Sequence, residues 1–475
     1  MIATTSPVAA EWRATDRAEP PAPEPRRARP RIRRPSTPFL LRLGMALALV
    51  PVVFFAVAVQ VGVARNDSTV RTVGRDATRG ITVAQAIKLN LAELDALVVQ
   101  DLLGTVALTP SGFPGDYNTK RGELHQNLVL AASESQSGAA YQQPLANIDY
   151  VLAHYHTLVK DAFAAGASGN PARAAELYAR AHVVMAETLL PAADFVDKAN
   201  TYVLNNTYDS QKARSASTGR VIVVAWVVLL AFLVIAQLLL ARKFRRVVNL
   251  ALALATLAAV AAGSFALSRL DASTGHLASA REQAFDSVHV LARARATVVS
   301  ARQAEGQLLL DPAHAADART GFLTQTERLF RVQGRDDVAA VAQSGTVPEG
   351  AGGYLATVAA AEGTGEHDEG GRDESGHDAV MAFGDFLAED TNLRNLVDSD
   401  AARTAQGVYD NARTFAVLSD AIDDAQAVDQ ATFDAHAGLA ADATDNVGEI
   451  TTVAAGAVLL LMLLGLYQRL REYSA

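Results

Sequence analysis

The stretch that decides the fold is 221–268: VIVVAWVVLLAFLVIAQLLLA (221–241), RKFRR (242–246), VVNLALALATLAAVAAGSFALS (247–268). Two charge-free apolar runs flank five residues of which four are basic. At a rise of about 1.5 Å per residue each run reaches about 30 Å, the thickness of a hydrocarbon core, and the short link forces a tight hairpin. Two further charge-free runs occupy 43–64 and 450–468. The reading is an all-α membrane protein with four transmembrane helices.

Working outward, the charges segregate. Residues 1–42 hold 9 basic and 4 acidic side chains, the 242–246 turn holds 4 and 0, and 469–475 hold 2 and 1. The long segments 65–220 and 269–449 hold 14 against 15 and 13 against 31. Basic residues in short loops stay cytoplasmic because translocating them opposes insertion. Both termini and the turn are therefore expected inside, with 65–220 and 269–449 as two extracytoplasmic antiparallel helical bundles in tandem. The first run also reads as a cleavable signal peptide, although its 42-residue leader and its length favour an uncleaved anchor.

The chain of 475 residues carries no cysteine, which excludes disulfides, thiolate metal sites and cysteine nucleophiles. The exported parts must hold together by packing alone. Aromatic residues make up only 6% of the chain, so its 50% apolar content is mostly Ala, Leu and Val, as suits helices.

In the first bundle Ile87, Leu91, Leu94, Val98 and Leu102 form a one-sided stripe, followed by a Pro/Gly break at 109–115. Helical patterns resume at 121–133, 141–165 and 171–213, the last opened by Pro171 behind Asn170. The second bundle reads as helix over 270–310, 315–332, 354–361, 377–396 and 401–448. Its first break, at Asp311-Pro312, lies about as far from its membrane run as the break at Pro110 does from the first run. This match suggests a duplicated unit. The outer helices of each bundle are expected to run unbroken into the membrane, with Gly219 and Gly448 as the weak points. Ala251, Ala255, Ala259 and Gly263 form a small-residue ridge on the third span.

Candidate chemistry is sparse. Arg295 and Arg302 share a helix face; turned inward they are candidate contacts for a carboxylate ligand, and at the rim they pair with Glu305 or neighbouring acids. The run 366–378, with His367 and His377, lacks the spacing of zinc or calcium sites and reads as an acidic loop, so no metal and no cofactor is assigned. His154 and His156 fall on different helix faces. Tyr202, Asn205, Asn206 and Tyr208 read as bundle surface. No phosphate loop, nucleophile elbow or kinase motif occurs, so the chain is not expected to be an enzyme. The acidic second bundle disfavours nucleic acid as a partner. Inside, Arg31, Arg33, Arg34, Arg242, Lys243, Arg245 and Arg246 are candidate docking residues, and Ser36 and Thr37 candidate phosphoacceptors; the tail also reads simply as a topology determinant.

With its Pro/Arg-rich leader Arg26-Arg27-Ala28-Arg29-Pro30-Arg31, this layout resembles a doubled chemoreceptor-type bundle sensor without its signalling rod. More narrowly, it resembles the GlnX-type membrane proteins of actinobacteria. The resemblance implies a non-enzymatic relay of amino-acid availability from an exported glutamine-binding lipoprotein, GlnH, to a cytosolic Ser/Thr kinase, PknG. It implies no functional residue. A homo-oligomer is compatible with the layout. The rival reading is an accessory subunit of an ABC transporter or secretion complex.

Overall fold

A computed structural model describes residues 37–71, 78–104, 108, 112–134, 139–244, 249–334, 337–362, 374–399, 401–410 and 412–474. Among the described residues the chain is helical, with no strand and one isolated bridge, Arg331 to Gly352. Four helices are long and apolar enough to cross a membrane.

These are α1 (Thr37–Arg71), α6 (Leu190–Phe244), α7 (Leu250–Ser279) and α15 (Val447–Ser474). They form a closed ring in which α1 and α7 each pack between α6 and α15. Phe55, Val59, Leu229, Leu233, Ala255, Ala259 and Met462 fill its centre, while Leu239, Leu257 and Val453 stay exposed on faces suited to lipid. In lipid, apolar burial gives helices little reason to associate, so close packing and hydrogen bonds must do so. The small-residue ridge supplies both: the Trp226 indole N–H donates to the Ala259 carbonyl at 2.8 Å, and a Cβ on Gly263 would lie 2.2 Å from that indole nitrogen. Gln60 donates to the Gly448 carbonyl and to the Thr452 hydroxyl, and Asn249 to the Gly465 carbonyl.

The first lobe comprises α2 (Thr78–Leu103), α3 (Gly115–Glu134), α4 (Ala139–Ala167) and α5 (Pro171–Val184), which passes through a π-helical turn, Met185–Leu189, into α6. Asn170 caps α5 by accepting from the Arg173 amide, with Pro171 at the first position, where its missing N–H costs nothing. Ile87, Leu91, Leu94 and Val98 are buried as the stripe required, against Tyr117, Leu124, Ile148 and Val159. Each contributes about 1.5–3 kcal/mol of burial.

Phe113 stacks on Tyr117, with Phe163 edge-on, and the Tyr117 hydroxyl lies 2.7 Å from His156 Nδ1. Burial, then the Arg121 charge, lower the His156 imidazole to about 4. A base neutral in the folded state but chargeable when unfolded stabilises the fold above about 6.5 and ceases to do so as pH falls toward 4. The loss should reach about 3 kcal/mol. Replacing His156 by Gln is expected to flatten the acid limb of the stability–pH curve in that window, measured by denaturant unfolding from pH 7 to 4.

The second lobe begins with α7, which passes through a second π turn, Ala280–Phe285, into α8 (Asp286–Leu310). There follow α9 (Ala315–Leu329), α10 (Val338–Gln343), α11 (Tyr354–Glu362), α12 (Ser375–Asp398), α13 (Ala402–Asp410) and α14 (Arg413–Thr444). Leu291, Val298, Phe330, Leu355, Phe383, Phe386, Leu418 and Ile422 form its core.

Two expectations need correction. Gly219 lies inside unbroken α6, so it is no weak point. The helix expected over 401–448 is instead interrupted at Ala412 and again at Asp445–Asn446, where Asn446 adopts φ 58°, the left-handed region in which asparagine is tolerated. The last rod into the membrane is therefore jointed at Asn446, four residues before Ile450, the expected start of the span. Rods described without such a joint include α5–α6, which ends at Phe244 with Arg242 and Lys243 still helical rather than in the expected turn, and α7–α8, which begins at Leu250; each carries one π turn.

Candidate functional site

The lobes do not stand apart: α2 and α8 pack along their lengths. Contacts rise together from Gln85 with His289, through Glu93 with Arg295, to Val99 beside Gly306, so the two helices run parallel and in register. This seam holds the densest buried polar chemistry of the described residues, arranged in three nodes.

In the first node Asp95 of α2, almost fully buried, accepts from the Tyr155 hydroxyl (2.9 Å, α4), the Tyr178 hydroxyl (3.3 Å, α5) and His182 Nδ1 (2.7 Å, α5). Gln303 of α8 reaches across from the other lobe, its Nε2 donating to the Tyr178 hydroxyl at 2.6 Å and lying 3.0 Å from His182 Nδ1. Burial, then the Asp95 charge, push both tyrosine hydroxyls well up, so they remain donors. Burial works against a charge on His182, but the Asp95 carboxylate outweighs it by charge and hydrogen bond and raises the imidazole above its ordinary value.

In the second node Asp197 of α6 takes both Arg293 Nε (3.2 Å) and a terminal Arg293 nitrogen (2.7 Å) from α8. His289 Nδ1 lies 3.8 Å from the other Asp197 oxygen and touches Gln85 Nε2. Burial, only partly offset by Asp197, lowers His289. In the third node Arg295 bridges lobes, 3.9 Å from Glu93 of α2, which Lys120 also reaches, and 3.1 Å from Asp423 of α14, with a hydrogen bond to the Ser419 hydroxyl.

Arg302 does not share a pocket with Arg295. It lies 3.0 Å from the buried Glu305 carboxylate and stacks over the Tyr409 ring at 3.6 Å. Burial, opposed by Arg302, raises Glu305 to about 7. The adjoining cleft, lined by Glu305, Arg319, Phe322, Asp390 and Arg394, encloses about 10 Å³, room for about one water. Both arginines are thus engaged by the protein's own carboxylates.

Of the other residues singled out, Arg31, Arg33, Arg34, Ser36, Arg245, Arg246 and most of the 366–378 run lie outside the described residues. Thr37 opens α1, Arg242 is exposed near the end of α6, and Lys243 follows it in the last turn. Tyr202 is exposed, whereas Tyr208 lies under the Arg281 guanidinium, which also donates to Asn205. No group of three or more metal-ligating side chains occurs among the described residues.

Sequence reasoning missed Asp95, His182 and Gln303. One signal was present: Asp95 falls midway between Leu91 and Val99, at four-residue spacing on the buried face, where an acid requires donors.

Fold and seam together define an all-helical protein with four candidate membrane spans carrying two interlocked lobes. Residues 69–209 match the family described as Actinobacterial sensor domain, which supports a sensor protein. The matched segment contains Asp95, Tyr155, Tyr178, His182 and Asp197 but none of their α8 partners. No curated protein and no solved structure matches the chain.

Proposed function

We propose that this protein is a non-enzymatic transmembrane sensor and signal relay. Its lobes face the exterior and bind an exported solute-binding protein or a polar solute, and the basic tail and turn present the result to a cytosolic partner. The observation that carries the reading is the sensor-domain match over 69–209, whose segment forms one side of the α2–α8 seam. The physical motive is continuity: a displacement at the seam would reach the basic residues 242–246 through α6 and α7–α8, the rods on either side of them in the chain. Within this reading the input is amino-acid availability and the inner partner a Ser/Thr kinase. The chain binds no nucleic acid and assembles with copies of itself only if its lobes leave a self-complementary face.

Affinity purification of the full chain in mild detergent tests it. Recovery of an exported solute-binding protein together with a cytosolic kinase is the expected result. Recovery of a permease and ATPase instead would make the protein a transport accessory and overturn the relay.

A further inference from the structure

We propose that this protein binds anionic phospholipid at the lobe-side rim of its membrane ring, where Arg65, Arg214 and Arg220 hold the headgroup phosphate at the contact of α1 with α6. The inference goes beyond the relay reading and rests on the four spans alone.

The site is built on a close helix contact. Gly62 of α1 lies so near α6 that a Cβ there would be 2.6 Å from Ile222 Cδ1 and 3.4 Å from Thr218 Cγ2. Three residues on, Arg65 donates to the Thr218 hydroxyl at 3.1 Å, which sets its guanidinium at the height of that residue on α6. Arg214 stands one turn farther from the membrane than Thr218, about 6 Å, and Arg220 two residues nearer to it, about 3 Å. Arg220 turns back toward the lobes, its Nε donating to the Ala216 carbonyl at 3.4 Å, as a side chain does when its stem lies along the apolar span and its charge seeks the polar layer. Three exposed arginines thus reach one headgroup layer.

What these arginines lack is a carboxylate. Among the described residues none of the three is in an ion pair, and Asp67, the acid nearest Arg65 in the chain, is taken by Arg71. The rest of the rim differs: α7 leaves its span with Arg269 two residues before the exposed Asp271, and α15 enters its span behind the exposed Asp445 and Glu449. The rim is therefore polarised, positive at α1 and α6 and negative at α15. A phosphate answers an unmatched guanidinium by accepting two parallel N–H bonds from its planar fork. A choline headgroup cancels its own phosphate charge, whereas an anionic lipid leaves it for the protein. Each arginine near a membrane surface strengthens such binding about fivefold.

The cysteine-free chain allows a local readout in the full-length protein. A bimane fluorophore on Val224→Cys, exposed one turn below Arg220, is compared with one on Val453→Cys, exposed one turn below Glu449, in nanodiscs of phosphatidylcholine with phosphatidylglycerol as the minority lipid. Brominated acyl chains on the phosphatidylglycerol quench the label on contact, and brominated phosphatidylcholine calibrates how far each position is open to lipid. The expected result is an excess of phosphatidylglycerol at Val224 over Val453 of about fivefold or more. The excess should vanish when Arg65→Gln, Arg214→Gln and Arg220→Gln are combined. If that variant does not reach native helicity, Arg214→Gln with Arg220→Gln serves, since neither side chain hydrogen-bonds to another helix, and it is expected to remove most of the excess. Equal quenching at the two positions, an excess that survives whichever of these variants folds, or its displacement by inorganic phosphate at constant ionic strength overturns the proposal. No such outcome touches the relay reading, which stands or falls on the partners recovered.

Discussion

Placing valine at Gly306 is expected to pry the two lobes apart and to destabilise the protein more than any other single-site insertion at the seam. A Cβ at this position would lie 2.4 Å from Val99 Cγ1, 2.6 Å from the Tyr409 hydroxyl and 2.9 Å from its ring carbon. The obstacles come from two sides: Val99 on α2 of the first lobe, and Tyr409 on α13, which is itself held beneath Arg302. Neither can retreat without disturbing a buried neighbour, since Val99 is 0% and Tyr409 3% exposed. Overpacking at such a point costs about 1–3 kcal/mol, and the upper end applies where two elements must move. Denaturant unfolding of the purified protein should show a lower midpoint, and spin labels on the two lobes a wider separation. Unchanged stability and separation would mean that α2 and α8 do not approach as closely as described.

Removing the Asp95 carboxylate is expected to be the most damaging deletion. In Asp95→Ala the buried hydroxyls of Tyr155 and Tyr178 and the partly exposed His182 Nδ1 lose their common acceptor. Leaving that many buried donors unmatched costs about 3–5 kcal/mol, and the raised charge state of His182 goes with it. The pair should be coupled. In a double-mutant cycle with His182→Gln the combined loss should fall short of the sum of the single losses by about 1 kcal/mol or more, as expected for groups in one network. Strict additivity would mean that Asp95 serves the tyrosines alone.

The parts legible in the sequence are those governed by local composition. The four spans follow from charge-free runs, because lipid penalises any other content over that length, and the breaks near 110 and 311 follow from Pro and Gly. The stripe from Ile87 to Val98 appears in the core as spaced. The weak point before the last span was expected at Gly448, but the joint lies two residues earlier, at Asp445–Asn446, because it uses a left-handed asparagine rather than the glycine. The seam escaped for a different reason. Its partners are far apart in sequence, Gln85 with His289 by 204 residues and Asp95 with His182 by 87, and helical periodicity says which face is buried, not which helix covers it. For Arg302 the partner was local, Glu305 three residues on; for Arg295 the partners are Asp423 and Glu93, on two other helices.

The relay requires the lobes outside and the basic ends inside, and cysteine accessibility measures this most directly. Single cysteines at Val129 and Thr391 in the lobes, and at Ser36 and Ser474 at the two ends, leave every charge in place in a chain that has no cysteine of its own. Intact cells treated with a membrane-impermeant maleimide should label the two lobe positions and spare both ends until the cells are opened. Labelling of Ser36→Cys or Ser474→Cys in intact cells, with the lobe positions protected, would contradict the account.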